Sequence, residues 1–280
     1  MENSVSSLKL EGGAGLGGRG GCSDELPLVS VVTVVFNDVD HLQRTIDSVT
    51  SQSYRNIEHI VIDGGSTDGT LAVIQQNPSI SYWVSEKDGG IYDAMNKGVS
   101  VASGEWVNFM NSGDVFYRDS VISEIFSVGG VSSNDLVYGD VEIDYGPFTK
   151  IRKAGVVESL KSGMQFSHQS LFARRAVLEL FKFDLSYRTA ADYNFVLLSW
   201  VSGFRFNHVE LVVSSISAGG ISDVRRLESH KQRVKILNSH LDLSRVDRVW
   251  AGLQGLYIRV SDFLKFIMPV RLVDWIKKLK

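Results

Sequence analysis

Cysteine is almost missing from this 280-residue chain, and the one present, Cys22, lies in a glycine-rich stretch. An internal disulfide and a cysteine-built zinc site are both excluded, so a reducing compartment is expected. Long apolar runs are missing too. No stretch reaches the roughly 18 residues of a spanning helix, and no apolar h-region of a cleavable leader stands near the start. Neither sign of charge dominates: 29 Lys and Arg stand against 32 Asp and Glu, a net charge of −3. That removes the basic excess of a general nucleic-acid binder, and no nucleic-acid partner is expected. A cytoplasmic protein follows from these absences. What remains is ordinary globular composition, long enough for one large domain or one domain with a small appendage.

Residues 1–26 are rich in Gly and Ser, lack periodicity, and read as a disordered tail. Within them Gly13, Gly15 and Gly18 fit the spacing of a dinucleotide loop. Such a loop needs a buried strand before it and a helix after it, and neither is expected here. A nicotinamide-dependent oxidoreductase would rest on this spacing alone.

Order is expected from residue 27. Val29 to Phe36 is a β-branched run suited to a strand buried on both faces. Asn37, Asp38 and Asp40 are candidate caps for a helix striped by Leu42, Ile46 and Val49. A strand over Ile57–Ile62 stops at Asp63, and Ser66 or Thr67 can cap a helix through Ile74. Strand Ile80–Val84, helix Ile91–Val101 and strand Trp106–Met110 follow. Alternation with short connections predicts an α/β fold with a Rossmann-like, mostly parallel sheet flanked by helices. Ligands of such sheets bind beyond the carboxyl ends of the strands. Asn37, Asp63, Asp88 and Asp114 all fall there and can converge on one edge. The second half is less regular: a hairpin over Val137–Tyr145 and Phe148–Lys153, a partly helical His168–Phe181, a helix from Asp192 to Trp200 and a strand over Phe206–Val213. From Val246 an apolar stripe keeps helical period to Met268, Pro269 interrupts it, and a basic amphipathic segment closes the chain.

Carboxylates at successive strand ends suit a nucleoside diphosphate, since one can accept hydrogen bonds from base or ribose while another holds a bridging cation. At VVTVVFN (31–37), VIDGGSTDGT (61–70), SEKDGGIYDAMNKG (85–98) and NFMNSGD (108–114), the chain resembles the inverting GT-A glycosyltransferases of family 2. The third motif is similar to the form found in bacterial exopolysaccharide and colanic-acid-type transferases. The resemblance covers residues 28–222 and implies a GT-A domain over 27–222. Its nucleotide-sugar half would be 27–115 and its acceptor half 116–222, with a helical C-terminal extension over 223–280.

The resemblance implies donor binding by Asn37, Asp63, Asp88, Asn111 and Asp114, with Asp114 holding Mn²⁺ or Mg²⁺. Asn111 departs from the pattern, since many relatives carry an acid there; its carbonyl can still coordinate, but one charge is lost. Asp192, in TAADYNF, matches the family's catalytic base, against the plain reading of a helix cap. For Asp63 and Asp114 the plain readings are turns and caps. His168 and Gln169, in FSHQS, are candidates for the diphosphate or acceptor pocket, or for a structural role. Ala218-Gly219-Gly220-Ile221-Ser222 resembles a flexible loop able to close over the donor.

The expected partners are a nucleoside-diphosphate sugar, a UDP-sugar favoured, and a saccharide or polyprenyl-linked saccharide acceptor in bacterial surface polysaccharide biosynthesis. The stripe over 246–280 suits either peripheral contact with the cytoplasmic face of the inner membrane or packing on the domain or a second copy. The alternatives are a non-catalytic nucleotide-sugar-binding module and a nucleotidyltransferase, although the latter's basic glycine-rich phosphate loop is not found beside the first strand.

Overall fold

The computed structural model describes residues 9–15, 26–127, 131–220 and 224–267. Cys22, Gly18, Ile221, Ser222, Met268, Pro269 and the closing basic segment lie outside them. In chain order the elements are β1 (Leu10–Gly12), β2 (Val29–Val35), α1 (Leu42–Thr50), β3 (Ile57–Asp63), α2 (Thr70–Gln75), β4 (Tyr82–Ser85), α3 (Ile91–Val101), β5 (Trp106–Phe109) and β6 (Val115–Phe116). There follow α4 (Val121–Ser127), β7 (Leu136–Asp144), β8 (Thr149–Arg152), β9 (Leu171–Arg174), α5 (Arg175–Leu180), α6 (Ala191–Val201), β10 (Phe206–Ser217), α7 (Arg226–His240) and α8 (Arg245–Ile267).

One sheet runs β1-β4-β3-β2-β5-β9-β7-β10-β6, with β8 paired to β7. It is parallel across β4, β3, β2 and β5 and again between β7 and β10. Strand β9 runs antiparallel between β5 and β7 and joins the two parallel blocks. Every residue of β2 and β3 is buried, as expected of β-branched strands covered on both sides. The pleat divides them: Val32 and Val34 join a core with α3, α5, α6 and α7, while Val29, Val31 and Val35 join cores with α1, α2 and α4 on the other face. Helix α3 approaches β2 so closely that a Cβ at Gly98 would stand 2.4 Å from Val32 Cγ1.

Several expectations change. Leu10–Gly12 is not part of a tail but an edge strand antiparallel to β4, with Gly12 opposite Trp83. Gly13 and Gly15 therefore follow an exposed antiparallel edge strand, the wrong setting for a dinucleotide loop. The side chains of Asn37, Asp38 and Asp40 do not cap α1. Helix α2 starts later than expected, at Thr70, where Asp68 accepts from the Thr70 N–H and hydroxyl. The stretch His168–Phe181 divides into a 3-10 turn (His168–Ser170), strand β9 and the short helix α5. β-Pairing on both edges of Leu171–Arg174 overrides any helical pattern there.

Candidate functional site

The carboxyl ends of β3, β2, β4 and β5 bring the expected donor-side residues to one edge. Asp63, the last residue of β3, is fully buried. Its carboxylate accepts from the Ser66 N–H, the Ser66 hydroxyl and the Ser85 hydroxyl. Ser66 Oγ in turn accepts the Asn37 N–H at 2.7 Å, and Asn37 Oδ1 accepts the Thr67 N–H at 2.8 Å. Asp63 and Asn37 thus brace two adjacent strand-end turns. Asp88 accepts the Gly90 N–H at 2.8 Å, and its Oδ2 lies so close to Gly64 that a Cβ there would stand 2.7 Å away. Burial pushes the Asp88 carboxyl up. Beside Gly64 stands Phe36, whose ring is 62% exposed at the end of β2. Sequence reasoning passed over it as a strand residue; a large aromatic next to a run of polar strand-end residues was the available signal.

The turn Asn111–Asp114 is held from three sides. The Asp114 N–H donates to the Asn111 carbonyl at 3.0 Å, with Gly113 at φ +86°. Thr45 of α1 donates its hydroxyl to the Asp114 carbonyl at 2.7 Å and accepts the Gly113 N–H at 2.9 Å. Ser112 donates to Asp38 Oδ2 at 2.7 Å, so Asp38 secures this turn instead of capping α1. The Asp114 side chain is nearly buried; Oδ2 accepts from Gln169 Nε2 at 2.7 Å and Oδ1 from the Ser217 N–H at 3.3 Å. Burial pushes its carboxyl up, against the opposing pull of Gln169 and His168. The Ala218–Gly220 segment leaves β10 directly beside this carboxylate.

His168 joins the two halves. Its Nε2 lies 3.0 Å from Asn111 Nδ2 and its Nδ1 3.5 Å from Asp192 Oδ2. Its Nδ1–H can donate to Asp192, while Nε2 meets the Asn111 amide. Asn111 Oδ1 is then left buried without a partner. Asp192 is the second residue of α6, whose N-cap is Ala190. Burial alone would raise its carboxyl, but the hydrogen bond and charge of His168 and the hydroxyl of Tyr92 outweigh it and hold the group below the ordinary aspartate value. The Tyr92 contact, at 2.9 Å, reaches across from α3 and was not foreseen; only its place in the motif 85–98 hinted at it.

Among the described residues no group of three or more His, Cys, Asp or Glu side chains is placed to hold a metal ion. The hard oxygens at this turn that could serve a cation are the Asp114 carboxylate and the unpartnered buried Asn111 Oδ1. Hard oxygens of this kind fit Mg²⁺ or Mn²⁺ when a ligand's own phosphates complete the shell.

A further feature lies apart from this edge. Val249, Trp250, Leu253, Leu256, Tyr257, Val260 and Phe263 of α8 are all exposed. The described residues leave this stripe largely uncovered. No helix among the described residues is long and apolar enough to cross a membrane.

Known proteins match this architecture. The family model for glycosyl transferase family 2 matches residues 30–181. An uncharacterized glycosyltransferase of Mycobacterium tuberculosis is 40% identical over 184 residues, covering 61% of this chain and 68% of that protein. A PGL/p-HBAD biosynthesis glycosyltransferase of Mycobacterium bovis is 30% identical over 208 residues, 70% of this chain and 80% of the relative. Among solved structures, S. aureus TarS 1–349 in complex with UDP-GlcNAc has a TM-score of 0.62 at 16% identity, covering 78% of this chain and 68% of that one. The mannosyltransferase PcManGT of Pyrobaculum calidifontis, in complex with GDP-Man and Mn²⁺, has a TM-score of 0.63 at 14% identity over 90% of this chain and 79% of its own. These structures share the GT-A fold. With the family model spanning more than half its length, the chain belongs to glycosyl transferase family 2 and is a glycosyltransferase.

Proposed function

We propose that this enzyme is an inverting transferase that moves a sugar from a nucleoside-diphosphate sugar, a UDP-sugar favoured, to a hydroxyl of a saccharide or polyprenyl-linked saccharide. The observation that carries the reading is the Asp192 carboxylate, held ionised by Tyr92 and His168 while the same imidazole reaches Asn111 on the donor side. An ionised carboxylate can take the acceptor hydroxyl's proton as its oxygen attacks the anomeric carbon from the face opposite the diphosphate. Tyr92 and His168 fix the rotamer and leave the base no freedom to turn away.

On the donor side, Asn37 and Asp63 shape the base pocket through the turns they brace, Asp88 holds the nucleoside, and the exposed Phe36 ring offers a stacking face. Asp114 would hold Mn²⁺ or Mg²⁺ with Asn111 Oδ1 as a neutral second ligand, and the cation would offset charge on the leaving diphosphate. Gln169 keeps the Asp114 carboxylate aimed. Solved structures of the same fold hold UDP-GlcNAc, or GDP-Man with Mn²⁺, and one relative is named for PGL/p-HBAD biosynthesis. The bound ligands of those structures support a nucleotide-sugar donor; a role in bacterial surface polysaccharide assembly is part of the same proposal. The outward apolar face of α8, with Arg248 and Arg259 also exposed, supports peripheral contact with the cytoplasmic face of a membrane that bears the acceptor.

The test is a thermal-shift and donor-hydrolysis screen of UDP- and GDP-sugars with Mn²⁺ or Mg²⁺, followed by the anomeric configuration of the transferred sugar by NMR. Stabilisation by a UDP-sugar and inversion of configuration are expected. Absence of stabilisation by every nucleotide sugar, or retention of configuration, defeats the reading.

A further inference from the structure

The base does not stand alone on its acceptor side. A cavity of about 250 Å³ runs from Asp192 to the C-terminal helices, lined among others by Thr189, Arg226, Ser229 and Arg233. Helix α7 presents the last three on one face, at spacings of three and four residues. It is fixed over the catalytic core: Gln232 Oε1 accepts the Thr189 N–H at 3.0 Å, and His240 meets Asn194 of α6 at 3.2 Å.

Arg226 is occupied by an ion pair with Asp262 of α8. Arg233 is different. Its guanidinium is largely buried and makes no ion pair with any carboxylate among the described residues. Nη2 donates to His230 Nδ1 at 2.9 Å and to Gln254 Oε1 at 2.6 Å, both neutral acceptors. Its Nε is buried without a partner, and so is the hydroxyl of Ser229 one turn away. The backbone leaves room for the group: a Cβ at Gly163 would lie 2.6 Å from Arg233 Nη1. Burial lowers the guanidinium's pKa, yet arginine stays charged at any working pH. A largely buried cation with an unpartnered Nε and no ion-pair partner among the described residues is costly unless something supplies an anion.

We propose that Arg233 and Ser229 form an acceptor subsite for an anionic oxygen group, phosphate or carboxylate, carried by the molecule whose hydroxyl reaches Asp192. The assignment of this ligand to the acceptor rests on the proposed role of Asp192 as base. A guanidinium and a hydroxyl one helical turn apart match the oxygens of such a group. Thr189, Tyr193 and His230 in the rest of the lining would face the sugar that bears it.

The test titrates the full chain, with its donor site filled by UDP and Mn²⁺, against four probes: glucose 1-phosphate, glucuronate, inorganic phosphate and methyl glucoside. Binding is read by calorimetry and by the side-chain ¹⁵Nε resonance of Arg233. Saturable binding of glucose 1-phosphate or glucuronate is expected, at least tenfold tighter than methyl glucoside, with the Arg233 signal shifting. Which of the two binds tighter identifies the anion, and inorganic phosphate binding alone would mean a site for the free ion, against the proposal. Arg233→Gln should weaken the sugar probe at least tenfold, and Arg233→Lys and Ser229→Ala about threefold or more, with UDP affinity kept. Equal binding of the probes by Arg233→Gln and the parent, or no saturable binding of either anionic sugar, overturns the proposal. Should Arg233→Gln fail to fold, Ser229→Ala and the parent's Arg233 resonance decide. Asp192→Asn separates the two readings: it should bind the probes normally, and if it also transferred sugar normally only the base assignment would fall.

Discussion

The Tyr92 hydroxyl donates to Asp192 Oδ1 at 2.9 Å, joining the third helix of the nucleotide half to the first turn of α6. His168 stands at the other oxygen. Two donors on one carboxylate favour its charged form, and together they outweigh the burial that would otherwise raise it. A carboxylate arranged in this way is ionised throughout the neutral range and has one orientation.

Asp192→Asn should reduce transfer by about a thousandfold or more, within the range that positioned bases contribute together with their geometry. UDP affinity should stay within about twofold of the parent. Retained turnover in a donor-saturated assay would remove Asp192 from the mechanism.

Tyr92→Phe tests the cause of the lowered carboxyl. Losing one hydrogen bond to the charged form raises the Asp192 pKa, so the acid limb of kcat/KM should move toward neutral pH. A rate loss of about tenfold at the optimum and about 1 kcal/mol of stability are expected from one removed hydrogen bond to a charge. An unmoved acid limb would mean that Tyr92 does not tune the base.

The first half of the sheet was legible because its signals are local. β2 and β3 announce themselves as β-branched runs, and a parallel sheet leaves its chemistry at strand ends, so Asn37, Asp63, Asp88 and Asp114 could be placed on one edge from order alone. Contacts between distant segments were not legible. Asp38 looked like a cap for α1, yet its carboxylate reaches Ser112, 74 residues away. Leu171–Arg174 carries too short an apolar run to declare strand or helix, and only pairing to β5 and β7 decides it. Arg233 and Ser229 carried no signal beyond a helical extension over 223–280; their burial depends on where α7 docks.

Asp114 supplies the next prediction, and its sign runs opposite to the usual carboxylate. Burial raises its folded-state pKa, so the folded protein favours the protonated form. The resulting stability is present below the unfolded pKa and is lost as pH rises through the raised folded value. Asp114→Asn should therefore raise the unliganded Tm at pH 7, by about 2 °C, while abolishing the extra stabilisation that Mn²⁺ gives to UDP binding. A lowered Tm with intact Mn²⁺ dependence would contradict both halves.

Gly64→Ala probes the donor pocket without removing a polar group. The new methyl would stand 2.7 Å from Asp88 Oδ2 and 3.3 Å from the Phe36 ring. Something must move, and the exposed ring and the loop carboxylate yield more easily than β3. UDP affinity should fall about tenfold while Tm changes by only about 2 °C, since small-to-large strain is relieved at the surface. Unchanged affinity would show that neither Asp88 nor Phe36 contributes to nucleotide binding.

The outward face of α8 poses a choice between a membrane and a second copy. Trp250 and Leu253 are each more than half exposed, and burying aromatic and aliphatic side chains of this size contributes roughly 1.5–3 kcal/mol each. Exposed Arg248 and Arg259 on the same helix would add salt-sensitive attraction to anionic headgroups. The parent should therefore co-float with vesicles containing anionic lipid, less so at high salt. Trp250→Glu with Leu253→Glu should lose that binding while keeping UDP affinity, because neither side chain touches the strand-end site. A parent that ignores vesicles but dimerises with concentration, with dimerisation lost in the same double variant, would assign the face to a second copy.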